Sequence, residues 1–304
     1  MTAFRPILIR EMRRALDVRL LLFWLGASMV PTLLVALPFA GILSEALDFS
    51  AYADVLAQRL DLDGLSALGK AYQRSEVAIQ TNVTLAWLCT LLLAPVLTAI
   101  AAAIFTASEK LATRTLIANA LMDYGRWFWL QLSAFVLYLL GFGIAVVVAV
   151  SAEIRVEEYV DAHSFANMQT LSRLLALLIA LMTHFSVEIA RAEYVLDARL
   201  HFPPRAFLRA FARGQILRRV GGYLLVCGIG ISVLLLLLML RQYMSGASLV
   251  AMLCTLILAQ CSVAALAWMR SARIFVLSAI AQQTPLMVNR PSSTSSDKSY
   301  RLRP

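Results

Sequence analysis

Six long stretches of nearly uninterrupted apolar residues organise the chain: Leu20 to Ile42, Val83 to Phe105, Trp127 to Val150, Leu171 to Ile189, Val220 to Leu240 and Leu249 to Met269. A helix needs about 20 such residues to cross the hydrocarbon of a bilayer, and each stretch meets that length. The runs are continuous rather than alternating, so they predict helices and not the strands of a barrel. The fourth is the shortest, with Arg173 at its start and His184 near its end. The first is longer than the core of a cleaved signal peptide, and no small-residue cleavage site follows it. It is read as a retained span.

The polar connections carry a second pattern. Before the first, third and fifth spans lie basic stretches whose apolar residues recur at helical spacing. In Pro6 to Arg19 these are Ile7, Leu8, Met12 and Leu16. In Glu109 to Arg126 they are Leu111, Leu116, Ile117 and Leu121. In Pro204 to Arg219, Phe207, Leu208, Phe211 and Ile216 lie opposite Arg205, Arg209 and Arg213, and Pro203-Pro204 marks a helix start. Such stretches predict short amphipathic helices lying in the headgroup plane with their arginines reaching phosphate, in preference to plain extensions of the next span. The expected fold is therefore all-α, with six transmembrane helices arranged as three hairpins with in-plane helices. Residues 1–283 form this domain, with an external insertion at 44–81 read as two short helices broken at Asp63-Gly64. Residues 284–304, rich in Ser, Pro and charge, read as a disordered tail.

Composition agrees: 61% of residues are hydrophobic and 15% charged, and the mean hydropathy is +0.76, which excludes an ordinary soluble domain. The net charge of +9 is unevenly placed. Of the 27 basic residues, 21 fall before the first span, between spans two and three, between spans four and five, or after the sixth, with Arg270 and Arg273 counted in the tail. Five fall on the other side, where the loops are acidic. The positive-inside rule then places both termini in the cytoplasm. Arginines spread over four juxtamembrane segments point to anionic lipid headgroups as the partner and not to nucleic acid. Arg205, Arg209, Arg213, Arg218 and Arg219 are the expected membrane-surface or partner-docking residues.

Signatures of chemistry are sparse. The sequence holds no GxxxxGK[ST], HExxH, GxSxG or GxGxxG, so neither a nucleotide-hydrolysing engine nor an enzyme is expected, and no cofactor. Cys89, Cys227, Cys254 and Cys261 all fall within spans and read as small apolar filler. His163, His184 and His201 are too dispersed for one metal site. Asp61 and Asp63 before Gly64 resemble a calcium loop, but its twelfth position is Tyr72. One cluster stands out: His184, Glu188 and Arg191 at helical spacing, continuing to Asp197 and Arg199. It reads as an ion-paired helix end at the interface, ahead of a proton or ligand site. Pairs of small residues, Gly141-Phe-Gly143 and Gly228-Ile-Gly230, and the alanines at 99 and 101–103 read as close helix packing.

Residues Asp123 to Leu139, with the turn Tyr124-Gly125-Arg126, and Glu188 to Arg199, with Glu188, Arg191, Asp197 and Arg199, resemble a broad group of poorly characterised bacterial six-span inner-membrane proteins. The plan of hairpins with in-plane helices is similar to the membrane domain that accompanies some bacterial glycerophosphodiester phosphodiesterases. The phosphodiesterase domain itself is missing. The resemblance implies architecture and a bacterial inner-membrane location more than an activity. Three functions are weighed. The first is a non-enzymatic membrane subunit of an envelope or export complex. The second is an ABC-exporter permease working with a separate ATPase subunit. The third is a lipid-active or scramblase-like protein using Glu188 and His184. Self-association into a homo-oligomer stays open.

Overall fold

A computed structural model describes residues 4–47, 62–154, 162–200, 202–212, 215–244 and 248–283. All regular structure there is helical. Six long helices carry the apolar stretches: α2 (Val18–Leu47), α3 (Leu62–Thr106), α5 (Tyr124–Ile154), α6 (Ala162–Leu196), α8 (Ile216–Tyr243) and α9 (Leu249–Gln282). Each contains a span long and apolar enough to cross a membrane, and the chain is a multi-pass membrane protein by that criterion. Among the described residues there are also three short helices: α1 (Phe4–Arg14), α4 (Thr113–Met122) and α7 (Pro203–Ala212).

Every short helix is separate from the span that follows it, as the amphipathic pattern predicts. Asp17 breaks α1 from α2, with its carboxylate taking the backbone N–H of Arg19 at 2.9 Å. Asp123 ends α4, and α5 starts at once with Tyr124, so Arg126 belongs to a span and not to the short helix. Gln215, with φ of 54°, makes a left-handed corner before α8, which therefore claims Arg218 and Arg219.

Successive spans pair as α2 with α3, α5 with α6, and α8 with α9, while α6 and α2 also pack on α9. One core cluster unites the starts of α2, α5 and α8 with the ends of α3, α6 and α9. Leu20, Trp127, Leu130 and Val226 meet Ile100, Phe105, Tyr194, Ile274 and Phe275 there, and Leu8, Leu116, Ala120 and Ala206 bring the short helices to the same place. The spans thus alternate in direction, and the described chain ends share one pole. Because this pole is also where the arginines gather, we call it the arginine-rich end. Toward the opposite end the spans expose large side chains such as Leu33, Leu37, Val147, Leu174, Leu236 and Leu256. Lipid tails solvate that surface, so in a bilayer it carries no penalty.

Packing between spans relies on absent side chains. A Cβ on Gly141 would lie 2.6 Å from Thr183 Cγ2, and one on Gly230 would lie 2.7 Å from Met269 Cγ. Their partners in the sequence pairs, Gly143 and Gly228, face open space. Only one glycine of each pair therefore serves close approach.

The helix α3 begins at Leu62, which puts Asp63-Gly64 in its first turn. Two sequence expectations need correction. The end of α9 lies at Gln282, so Arg270 and Arg273 sit inside a helix and not in a tail. The helix α6 continues to Leu196, so Glu188 is not at a helix end. The tail 284–304 and the centre of the insertion, residues 48–61, lie outside the described residues, as do Arg213 and His201.

Candidate functional site

The end of α6 is enclosed on all sides: every residue from Val187 to Val195 is buried. Three of them are charged, Glu188, Arg191 and Glu193, and each requires a partner at that depth. Glu188 accepts from Arg191 at 2.6 Å, one turn on, and lies 3.9 Å from Arg273 of α9. Arg191 also donates to Gln131 Oε1 of α5 at 2.9 Å. Arg273 in turn lies 3.4 Å from His184 Nε2 and 3.7 Å from Cys227 Sγ, with its guanidinium 6.0 Å from the centre of the Tyr223 ring. The His184 ring packs against Tyr138 and Tyr223. Four spans, α5, α6, α8 and α9, are thus tied through one carboxylate.

A second pair lies one turn on. Arg219 of α8 is buried and donates to Glu193 Oε1 at 3.1 Å and to the Ala210 carbonyl at 2.9 Å. Its guanidinium caps the end of α7 and anchors that helix to α6.

Other arginines repeat the device. Arg14 of α1 donates to the carbonyls of Ile104 and Ala107 at 2.7 and 2.8 Å, capping α3. Arg19 donates to the Leu111 carbonyl at 2.6 Å. Arg126 of α5 donates to the carbonyls of Tyr194, Asp197 and Leu200, and stacks over the Tyr194 ring at 4.5 Å, capping α6. Helix C-termini leave four carbonyls unsatisfied and carry a partial negative charge, so a guanidinium from another helix serves both needs.

The five-residue cluster expected from sequence therefore divides. His184, Glu188 and Arg191 come together, with Arg273 and Gln131 added. Asp197 and Arg199 lie beyond the helix end, in a turn where Asp197 accepts the Arg199 backbone N–H at 2.9 Å and pairs with Arg209 of α7 at 2.5 Å. The Arg209 hydrogen bond holds the Asp197 carboxyl below the usual carboxylate range. Likewise Arg19 lowers Asp17. Of the docking arginines, Arg205 and Arg218 are exposed, Arg209 is half-buried and Arg219 is turned fully inward. Glu188 is enclosed rather than presented to headgroups.

Reading the sequence alone missed Arg273, Arg14 and Arg126 as structural groups. The first was recoverable: apolar residues continue from Ile274 to Ala281, so the helix had to run on through it. The other two act across more than sixty residues of chain, and no local pattern marks such a pairing.

Two clefts open at this end. One, of about 520 Å³, lies between α1 and the α3–α4 connection and is lined by Arg10, Arg14, Arg19 and Lys110 together with Asp17 and Glu109. The other, of about 420 Å³, is lined by Asn119, Asp123, Arg126 and Trp127. Among the described residues, no three His, Cys, Asp or Glu side chains are grouped to hold a metal ion. Compared with family models, curated proteins and solved structures, the chain matches none. The likeness drawn from residues 123–139 and 188–199 identifies no family.

Proposed function

We propose that this multi-pass membrane protein is a non-enzymatic subunit that anchors a larger envelope or export complex through its arginine-rich end, which faces the cytoplasm. The observation that carries the reading is the double-sided character of the three short helices. Their inner faces, through Leu8, Leu116, Ala120 and Ala206, are built into the common core. Their outer faces present arginine beside large apolar side chains: Leu208 and Phe211 near Arg205, and Leu121 and Met122 on α4. A rigid face mixing arginine with large apolar groups suits protein recognition. The carboxylates Glu11, Asp17, Glu188, Glu193 and Asp197 are all paired with arginines, which suits a structural role for them.

Purification of a tagged full chain from native membranes in mild detergent tests this. A stoichiometric partner should accompany the wild type and be lost on Leu208→Glu. Recovery of the chain alone, or a partner indifferent to Leu208→Glu, contradicts it.

A second reading, an exporter permease driven by a separate ATPase, is favoured by one observation. The helices α4 and α7 stand as separate elements in the connections between spans two and three and between spans four and five. Such elements can transmit force from a bound engine. If the co-purified partner hydrolyses ATP at a rate that changes when this chain is present, the permease reading replaces the scaffold.

A further inference from the structure

Arg270, half-buried, differs from the buried arginines Arg191, Arg219 and Arg273. Among the described residues it makes neither a hydrogen bond nor an ion pair, and its guanidinium lies over the Trp24 ring at 4.8 Å. The nearby carboxylate Glu188 is already shared by Arg191 and Arg273. Three guanidinium charges therefore stand near one carboxylate, with Arg270, half-buried, on the lipid-facing side. A half-buried cation with no carboxylate of its own is costly where the bundle meets lipid, and a ligand anion is the group that would offset it.

The geometry supplies a place for one. A cavity of about 180 Å³ lies between α2, α3 and α9, lined by Arg270 and Trp24 at its polar side and by Pro31, Leu93, Ala94 and Leu97 among its apolar walls. Its hydroxyls are committed: Ser28, Thr32 and Thr90 donate to the carbonyls of Leu25, Ser28 and Ala86 in their own helices. The uncommitted groups are both donors, the Arg270 guanidinium and the buried Trp24 indole N–H. Two donors, one of them charged, call for an acceptor with negative charge. Trp24 lies six residues into α2, roughly 9 Å along its axis, which is headgroup-to-acyl depth and not mid-bilayer. Apolar walls then lead away from the charge along α2 and α3, as an acyl chain would.

We infer that this cavity is a binding site for one anionic phospholipid, whose phosphate meets Arg270 and Trp24 and whose acyl chain follows the α2–α3 wall. The site is independent of the docking face and stands whether or not a partner protein binds. It also explains the pairing of an arginine with an unpartnered tryptophan: one neutralises the phosphate, and the other adds a directed hydrogen bond.

Native mass spectrometry of the purified full chain tests this, with phosphatidylglycerol, phosphatidylcholine and oleate titrated separately. The wild type should retain one phosphatidylglycerol, with about a fivefold preference over phosphatidylcholine, the size of one arginine acting near an anionic headgroup. Arg270→Gln should abolish the preference, and Arg270→Lys should keep part of it. Arg205→Gln, on the exposed face of α7, should leave it unchanged. Trp24→Phe keeps the ring and removes the donor; it should reduce the preference, and it decides the matter if Arg270→Gln does not yield monodisperse protein. Equal retention of both phospholipids by the wild type, or a preference that survives Arg270→Gln or Trp24→Phe, overturns the site. Oleate displacing phosphatidylglycerol at equal concentration overturns the assignment to a phospholipid.

Discussion

Replacing Glu188 with Gln removes the one carboxylate shared by Arg191 and Arg273 while nearly preserving volume. Its Oε1 lies 2.6 Å from one guanidinium and 3.9 Å from the other. At an effective dielectric of about 20, a unit pair 4 Å apart interacts by about 4 kcal/mol, so the longer contact alone is substantial. Desolvation offsets part of this in the intact protein, but it is not recovered when one partner is deleted. Breaking a buried pair in this way costs about 3–5 kcal/mol. The Gln131 amide, already accepting from Arg191, cannot replace a negative charge. We therefore expect Glu188→Gln to lower the ratio of folded to unfolded protein roughly a thousandfold, each ~1.4 kcal/mol being tenfold. Reversible unfolding in mixed micelles, followed by tryptophan fluorescence and far-ultraviolet circular dichroism, measures this. Arg191→Met alone should cost less, because Arg273 remains beside the carboxylate. The double variant should be more stable than the sum of the two singles by about 1–3 kcal/mol, the coupling expected of residues in direct contact. A Glu188→Gln protein within ~0.5 kcal/mol of wild type would refute the claim that this carboxylate holds four spans together.

Two further outcomes follow from the same packing. Gly141→Ala should destabilise by about 1–3 kcal/mol, because its new methyl meets Thr183, and Thr183→Ala should restore most of the loss; equal unfolding midpoints for wild type and Gly141→Ala would contradict the α5–α6 register. Asp197 is ionised below the usual carboxylate range because of Arg209, so its contribution is present above about pH 4 and is lost as the pH falls through the lower folded value. Half-exposed, the pair contributes at most ~1 kcal/mol, and Asp197→Asn should flatten the acid decline of the melting midpoint below about pH 4 by that small amount, as thermal scans at stepped pH would reveal.

The six spans were legible because hydrocarbon solvation imposes long apolar runs, and nothing else in a chain produces them at this length. Separate short helices were legible from period and charge, although their ends were placed too far into the following spans: Arg126 and Arg219 look like surface residues in sequence and are structural ones in space. The site was only half legible. Glu188 with Arg191 follows from helical spacing, yet its depth does not, since burial depends on α9 running past Met269 to cover it. The arginine caps on α3, α6 and α7 join residues remote in sequence or across a corner, and charge counting assigned these same arginines to lipid. Sequence charge thus gathered these arginines at one end of the bundle while misjudging what several of them do there.

The most direct test of the account is sidedness. In a variant lacking Cys89, Cys227, Cys254 and Cys261, single cysteines are introduced as Arg205→Cys on α7 and Gln73→Cys at the opposite end of α3, and intact cells are treated with a membrane-impermeant thiol reagent. The account predicts that Gln73→Cys is labelled at once and Arg205→Cys only after the membrane is opened. Equal labelling of both from outside, or prompt labelling of Arg205→Cys alone, would contradict it.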